Sequence, residues 1–315
     1  MLSKILYKRL AQAGFVAWAV GTLTFILMRL LPGDFAYRIA AGRYGYDYVT
    51  QAAADAVRLE LGLDRPALVQ YFDWLVNLAQ FNLGNSLVSG NPVTEELYHQ
   101  LGHSLKLAIF ATFISLLIAI PVGIYAGKKA GKAGDQISMF FSVLLRSQPV
   151  FVIGLILVLV FALNLKLLPV AGFGSSEYLI LPALALALSM AAMSSRIIRN
   201  STQDVLSSSY YRFARFKGLT AKQAFEHHAQ PNIALPVIAF IGIQSVALIE
   251  GIVMIESLFS WPGIGHALAH AIFGRDVPMI QGAALVMGLL FVMINTIVDC
   301  MAYLLDPRQR EEAYA

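Results

Sequence analysis

Long apolar stretches separated by shorter polar segments recur along the whole chain. Six of them are at least 20 residues long, and they cover about 11–31, 104–126, 137–162, 178–197, 235–256 and 280–305. A helix rises ~1.5 Å per residue, so ~20 apolar residues cross the ~30 Å hydrocarbon layer of a membrane. The pattern predicts an all-α polytopic membrane protein with six transmembrane helices.

Composition agrees with this class. Of the 315 residues 58% are hydrophobic and only 13% are charged, and the mean hydropathy is +0.67. A soluble domain carries about 25% charged residues. The single cysteine, Cys300, excludes a disulfide framework and a cysteine-based metal site. The pI near 9.1 does not indicate nucleic-acid binding, because membrane proteins collect Lys and Arg on one side.

The basic residues predict which side of the membrane each segment occupies. With the N-terminus in the cytoplasm, 14 of the 23 Lys and Arg residues lie in inner segments and six in outer ones. By the positive-inside rule both termini are cytoplasmic. The first apolar segment is then a retained signal-anchor helix, because its apolar run is too long for a cleaved signal peptide.

A long segment, about 33–103, separates the first two spans and is predicted to be periplasmic. Its apolar residues recur at helical spacing and indicate short amphipathic helices on the outer surface. These residues are Leu59, Leu61, Leu63, Leu68, Tyr71, Phe72, Trp74 and Leu75.

The inner segment between the fourth and fifth spans, about 200–234, is polar yet rich in helix signals. Ser207–Ser209 offer an N-cap for a helix over 210–217, and Gly218 suits the left-handed position that ends it. Thr220 and Gln223 form a capping box that opens a second helix.

Two prolines follow that second helix. Pro231 is expected to end it after about Ala229, and Pro236 is placed in the first turn of the fifth span, where a missing N–H is harmless. The segment is therefore predicted to be a helix–turn–helix elbow under the bilayer, tied to the fifth span. A connector that only satisfies the positive-inside rule is the alternative.

The residues of this elbow resemble a known loop. The run Ala214–Leu219 (ARFKGL), followed by His228, Asn232 and Leu235-Pro236, is similar to the EAA loop of binding-protein-dependent ABC transporter permeases. The spacing resembles the dipeptide/oligopeptide/nickel branch of that family. Further matching motifs occur in order along the chain: PGD at 32–34, LGLDRP at 61–66, LGNSL at 83–87, IPVG at 120–123, LPVAG at 168–172, ESLFSWPGIG at 256–265, RD at 275–276 and LDPR at 305–308.

The resemblance implies an architecture and a set of partners. It implies an N-terminal helix with a periplasmic segment over 1–103, a permease core with helices 2–6 over 104–308, and a cytoplasmic tail over 309–315. It implies a bacterial inner-membrane location, a second homologous permease subunit, two cytoplasmic ATPase subunits and an external solute-binding protein. The ATPase-coupling residues would be Arg212, Ala214, Lys217, Gly218, His228, Asn232 and Pro236.

Nucleotide binding is not expected in this chain. Residues 126–133 (AGKKAGKA) are the nearest approach to a P-loop, but they lack its first Gly and its final Ser or Thr, and they follow a membrane span rather than a strand. ATP and Mg²⁺ would be held by partner ATPases, and no cofactor or metal is expected here.

Charged residues inside spans need a reason, because each costs about 2.5–3.5 kcal/mol at mid-bilayer on the insertion scale. Arg146 is expected to face the bundle interior or a polar cavity, and snorkelling to the interface is the alternative. The candidates for a translocation path are Arg146, Gln148, Glu250 and Asp299. Two outer His pairs at i, i+4 spacing, His99/His103 and His266/His270, share helix faces, but neither has an evident third metal ligand.

The leading interpretation is the permease half of an ATP-driven importer that works by alternating access. Di- or oligopeptides are the first substrate class, and nickel or a metal chelate is the second. An intramembrane enzyme is disfavoured because Glu250 and Asp299 are predicted near opposite membrane faces. A passive channel would leave the structured elbow unexplained.

Overall fold

A computed structural model describes residues 2–30, 33–45, 47–62 and 64–305, and these residues form helices without any strand. The thirteen α-helices within those ranges are α1 (Leu2–Leu30), α2 (Phe35–Tyr44), α3 (Gln51–Glu60), α4 (Ala67–Ala79), α5 (Val93–Lys128), α6 (Ala133–Arg146), α7 (Val150–Leu157), α8 (Glu177–Ser207), α9 (Ser209–Phe216), α10 (Ala221–Ala224), α11 (Gln230–Leu258), α12 (Ile264–Gly274) and α13 (Val277–Leu305). Two π-helical turns, Val158–Asn164 and Phe225–Ala229, continue α7 and α10.

Five of the predicted spans are helices long and apolar enough to cross a membrane: Leu6–Leu27, Val93–Lys128, Glu177–Ser207, Ala221–Leu258 and Val277–Met301. The all-α polytopic fold is therefore confirmed. The sidedness rests on the basic residues alone and stays a prediction.

The third predicted span, 137–162, is not one straight helix. It consists of α6 and the helix Val150–Asn164, which meet at an angle of 103°. Pro149 starts the second part, and a proline disfavours the helical conformation of the residue before it and donates no backbone hydrogen bond. The break at residues 147–149 follows from that chemistry.

The described helices form two compact units. The core unit contains residues 2–5, 105–261 and 293–305, and the N-terminal unit contains residues 6–104 and 262–292. The predicted domain division at 103–104 stays a prediction, because these units are defined by packing alone.

α8 and α11 lie at the centre of the core unit. Leu181 and Leu186 of α8 pack with Ile255 of α11, and Phe259 and Trp261 complete the same buried cluster. All five side chains are at most 2% exposed, so this cluster is a solid core that holds the two helices together.

α5 approaches α8 closely through two glycines one helical turn apart. A β-carbon on Gly123 would lie 2.8 Å from the carbonyl oxygen of Ser195, and one on Gly127 would lie 2.7 Å from that of Arg199. Small residues at this spacing let membrane helices pack with their backbones nearly touching. These glycines set the distance between α5 and α8.

The N-terminal unit contains the predicted short helices α3 and α4, together with α2, α12 and much of α13. Ile39 and Ala40 of α2 pack on Val57 of α3. The carboxylate of Asp276 accepts hydrogen bonds from the Ser86 hydroxyl and from the Leu87 backbone N–H. That carboxylate fixes the loop before α5 to the start of α13.

Candidate functional site

The first arm of the elbow is α9. The Ser208 hydroxyl accepts a hydrogen bond from the Tyr211 backbone N–H at 3.3 Å, as the predicted N-cap requires. Gly218, with φ of +90°, turns the chain after α9. Arg215 closes the turn by donating from Nη1 to the carbonyl oxygen of Leu219 at 2.6 Å.

The second arm begins with the predicted capping box. The Gln223 N–H donates to the Thr220 hydroxyl at 3.3 Å, and the Thr220 N–H donates to Oε1 of Gln223 at 3.0 Å. The helix continues through the π-turn 225–229 into α11 without a stop. The expectation that Pro231 ends the arm is therefore wrong, because the wider π-turn absorbs the missing N–H at the start of α11.

Two further predicted residues lie near the start of α11. Pro236 is inside that helix rather than in its first turn, so it interrupts the ladder of backbone hydrogen bonds at the base of the span. Asn232 donates from Nδ2 to the carbonyl oxygen of His228 at 2.8 Å and thereby satisfies a backbone acceptor of the π-turn. Asn232 and His228 thus hold the junction together.

The inner face of the elbow is made of alanines. Ala214, Ala224 and Ala229 are buried, and Ala229 packs in a cluster with Ile198 of α8 and Ala119 of α5. Ala214, a predicted coupling residue, is therefore a packing residue whose side chain faces the protein. Its small size allows α9 to lie close to the membrane helices.

The outer face of the elbow carries aromatic and basic side chains. Phe213 is 60% exposed and Phe216 is 87% exposed. The exposed basic residues around them are Arg212, Arg215, Lys217 and Lys222. The sequence-based reasoning missed both phenylalanines as site residues, although two phenylalanines in a basic, water-facing segment are a visible signal. An exposed apolar patch rimmed by charge is typical of a protein-docking surface.

A partly buried ion pair connects the neighbouring helices. The carboxylate of Asp135, at the start of α6, lies 2.5 Å from Nη2 of Arg199 and 3.5 Å from Nη1 of Arg196, both on α8. It also accepts the Gly131 N–H at 2.9 Å. On α5, the Lys128 ammonium lies 3.8 Å from the ring centre of Phe225 in the π-turn. The elbow is therefore attached to a braced group of helices.

The predicted path residues are partly brought together. Arg146 is the last residue of α6, and Gln148 lies in the break that follows, so both sit at the bend rather than inside a straight span. Glu250 lies on α11 directly before Gly251. Gly251 faces Val150, the first residue of α7 after the break. Arg146, Gln148 and Glu250 are exposed, and within the described residues none of them forms a hydrogen bond or ion pair through its side chain. Asp299 is a half-buried residue of α13.

The His266 and His270 rings meet edge to face, 4.6 Å apart between centroids, and line a cavity of about 460 Å³. Burial, and then the neighbouring His270, hold the pKa of His266 below its usual value. No group of three His, Cys, Asp or Glu side chains suited to a metal ion occurs in the part of the chain that the structure describes.

Comparison with known proteins extends these observations. Residues 119–311 match the family described as "Binding-protein-dependent transport system inner membrane component", and residues 1–108 match the family of N-terminal regions of such membrane components. A protein of Brucella melitensis named as a peptide transport system permease is 36% identical over 98% of this chain and 99% of its own length. The nickel import system permease protein NikB of Staphylococcus aureus (strain MRSA252) is 37% identical over 98% of this chain and 92% of its own length.

Solved structures share the fold. A methionine ABC transporter in inward-facing conformations matches with a TM-score of 0.54 at 15% identity, over 67% of this chain and 96% of that chain. An amino acid ABC transporter described with histidines matches with a TM-score of 0.53 at 17% identity, over 66% of this chain and 94% of that chain.

Proposed function

Because the chain belongs to the family of binding-protein-dependent transport system inner membrane components, we propose that its elbow is the docking site for a cytoplasmic ATPase. The chain itself is a multi-pass inner-membrane permease subunit of an ABC transporter and not an enzyme. The exposed phenyl ring of Phe216 is the observation that carries the proposal. The ring is 87% exposed and lies on the same segment as the exposed Arg212, Arg215 and Lys217, so it has no role in the packing of this chain.

The elbow has the connections that a force-transmitting element needs. Its second arm and α11 form one continuous helical run, Ala221–Leu258, so a movement of the elbow would be passed to the span. Its inner face packs on α5 and α8. Nucleotide-driven closure of two ATPase subunits, which hold ATP and Mg²⁺, would move Phe216 and tilt α11. Alternating access to the two sides of the membrane would result.

The coupling residues then have distinct roles. Arg212, Phe216 and Lys217 present the docking surface, and Gly218 provides the turn between the two arms. His228, Asn232 and Pro236 act at the junction with α11, whereas Ala214 seats α9 on the helices above it.

A matched pair of substitutions tests the docking surface. Burying a phenylalanine side chain is worth about 1.5–3 kcal/mol, so Phe216→Ser should weaken ATPase docking by roughly ten- to a hundredfold. Phe81→Ser is the control, because Phe81 is 90% exposed in the N-terminal unit. The measurements are the amount of ATPase that co-purifies with the chain and ATP-driven uptake by the reconstituted complex. Equal results for both variants would contradict the proposal.

The exposed polar residues at the bend support a second permease subunit. A charged side chain facing lipid is costly, so Arg146 and Glu250 need a cover or a polar path. We propose that a homologous subunit covers them and that Arg146, Gln148, Glu250 and Asp299 contribute to the path between the two subunits. Loss of transport by Arg146→Ala at unchanged expression is expected, and normal transport would exclude the role.

For the substrate we propose di- or oligopeptides, delivered by an external solute-binding protein. The full-length similarity to a peptide permease supports this choice. Nickel or a metal chelate is the second candidate, because the similarity to NikB is equally extensive. Competition between labelled dipeptide and nickel for ATP-driven uptake by the complete transporter separates the two.

A further inference from the structure

α4 is attached to the membrane-spanning part of α1. The Tyr71 hydroxyl lies 2.8 Å from the hydroxyl of Thr22. The indole of Trp74 lies so close to Gly21 that a β-carbon there would be 2.0 Å from the ring. Gly21 and Thr22 belong to the candidate span Leu6–Leu27. α4 therefore packs against the last turns of that candidate span.

A second side of α4 is apolar and uncovered. Leu68, Phe72 and Val76 are 71%, 61% and 56% exposed, and they follow one another at intervals of four residues. With ~3.6 residues per turn, they form one stripe that points away from Tyr71 and Trp74. An uncovered apolar stripe beside a candidate membrane span is typical of helices that lie in the membrane interface.

The third side of α4 is polar and faces a cavity of about 520 Å³, within the size range of small-ligand sites. Gln70, Asp73 and Asn77 contribute this side, and Arg29 and Arg65 also line the cavity. Arg65 is neutralised by Asp73 at 2.9 Å. The cavity is thus lined by the polar side of α4 and by the end of α1, and the apolar stripe lies on the neighbouring side of α4.

Arg58, which pairs with Asp34, and the buried Arg275 also line the cavity, and Arg29 is the exposed cation at the end of α1. Its Nη2 donates to Oε1 of Gln70 at 2.6 Å, and its guanidinium lies 4.6 Å from the ring centre of Phe25. Within the described residues no carboxylate pairs with Arg29. α4 begins after Pro66 without a side-chain cap, so the positive end of its dipole adds to the charge at this place.

We propose that α4 and Arg29 form a binding site for an anionic phospholipid. The phosphate would lie between Arg29 and the N-terminus of α4, and the acyl chains would run along Leu68, Phe72 and Val76. A helix of a second subunit would cover the apolar stripe but would not neutralise the charge of Arg29. The combination of charge and apolar surface therefore favours a lipid. The site would hold the N-terminal unit at a fixed depth in its leaflet.

The charge is tested with the full chain in its transporter complex. Binding is measured by native mass spectrometry in the presence of dioleoyl-phosphatidylglycerol or dioleoyl-phosphatidylcholine. Near a membrane surface one Arg is worth about 1 kcal/mol, so Arg29→Gln should lower phosphatidylglycerol binding about fivefold. Phosphatidylcholine binding should fall less, because its choline cation offsets the charge of its phosphate. Arg38→Gln removes an equal charge from an exposed position outside the cavity and should have no effect.

Inorganic phosphate distinguishes a lipid site from a site for free anions. Failure of millimolar phosphate to displace the phosphatidylglycerol supports the lipid site, whereas displacement would overturn it. Equal effects of the Arg29 and Arg38 substitutions would also overturn it, because the preference would then be an unspecific charge effect.

The apolar stripe is tested separately by spin labelling. The only native cysteine, Cys300, is replaced by Ser, and a nitroxide is attached to Phe72→Cys or to Asn77→Cys. The label at 72 should collide with oxygen dissolved in the lipid, and the label at 77 should collide with a water-soluble nickel chelate. Collision of the label at 72 with the nickel chelate would overturn the proposal. Collision with neither reagent would also overturn it, because a subunit would then cover the stripe.

Discussion

The substitution Gly218→Ala isolates the turn of the elbow from every other interaction. Gly218 has φ of +90°, and a β-carbon added there meets no atom within 4 Å. The new methyl group therefore causes no collision, and its whole effect is the cost of a left-handed backbone, about 1–2 kcal/mol. An equilibrium constant changes roughly 5- to 30-fold for that free energy. We expect ATP-driven uptake to fall by a similar factor.

Gly102→Ala is the matched control. That position is also open within 4 Å, but it lies inside α5, where Ala is favoured over Gly by about 1 kcal/mol. Gly218→Asn should lower ATP-driven uptake less than Gly218→Ala does, since Asn tolerates positive φ. Uptake into proteoliposomes and ATP hydrolysis are measured for all three variants. Full uptake by Gly218→Ala would refute the assigned role of the turn.

Three other outcomes are expected. Asp135→Ala leaves the half-buried Arg199 guanidinium without its carboxylate and should destabilise the chain by about 1.5–3 kcal/mol, seen as a lower unfolding temperature in detergent. Gly123→Val overpacks the contact between α5 and α8 and should cost about 1–3 kcal/mol in the same assay. Burial raises the pKa of Asp34, but hydrogen bonds from the backbone and from Arg58 outweigh it and lower the pKa. Its stabilising effect should therefore be present above pH ~4 and lost as the pH falls through the lowered pKa, and Asp34→Asn should remove this part of the acid sensitivity.

Local signals in the sequence were sufficient for the caps and the turn of the elbow. The capping box of Thr220 and Gln223 and the turn at Gly218 are determined by residues within a few positions of each other, and both are present as predicted. The end of the second arm was mispredicted because a π-turn accommodates Pro231. A proline marks a stop in sequence-based reasoning, but a widened turn can carry a helix past it.

Features that depend on distant residues could not be predicted. The Asp135–Arg199 pair joins residues 64 positions apart, and the exposure of Phe216 depends on which face of α9 packs against the membrane helices. The 103° bend had a local signal in Ser147-Gln148-Pro149, yet the apolar residues on both sides concealed it. The length of the apolar stretches thus located the membrane helices but not the breaks within them.

Thiol labelling of a single cysteine at position 216 decides whether the elbow is the cytoplasmic contact with the ATPase. In a Cys300→Ser background, Phe216→Cys is exposed to a membrane-impermeant maleimide in inside-out and right-side-out vesicles. We predict labelling only in inside-out vesicles and protection when the ATPase subunits are bound. Labelling from the outside, or labelling that the ATPase does not reduce, would contradict the proposed coupling.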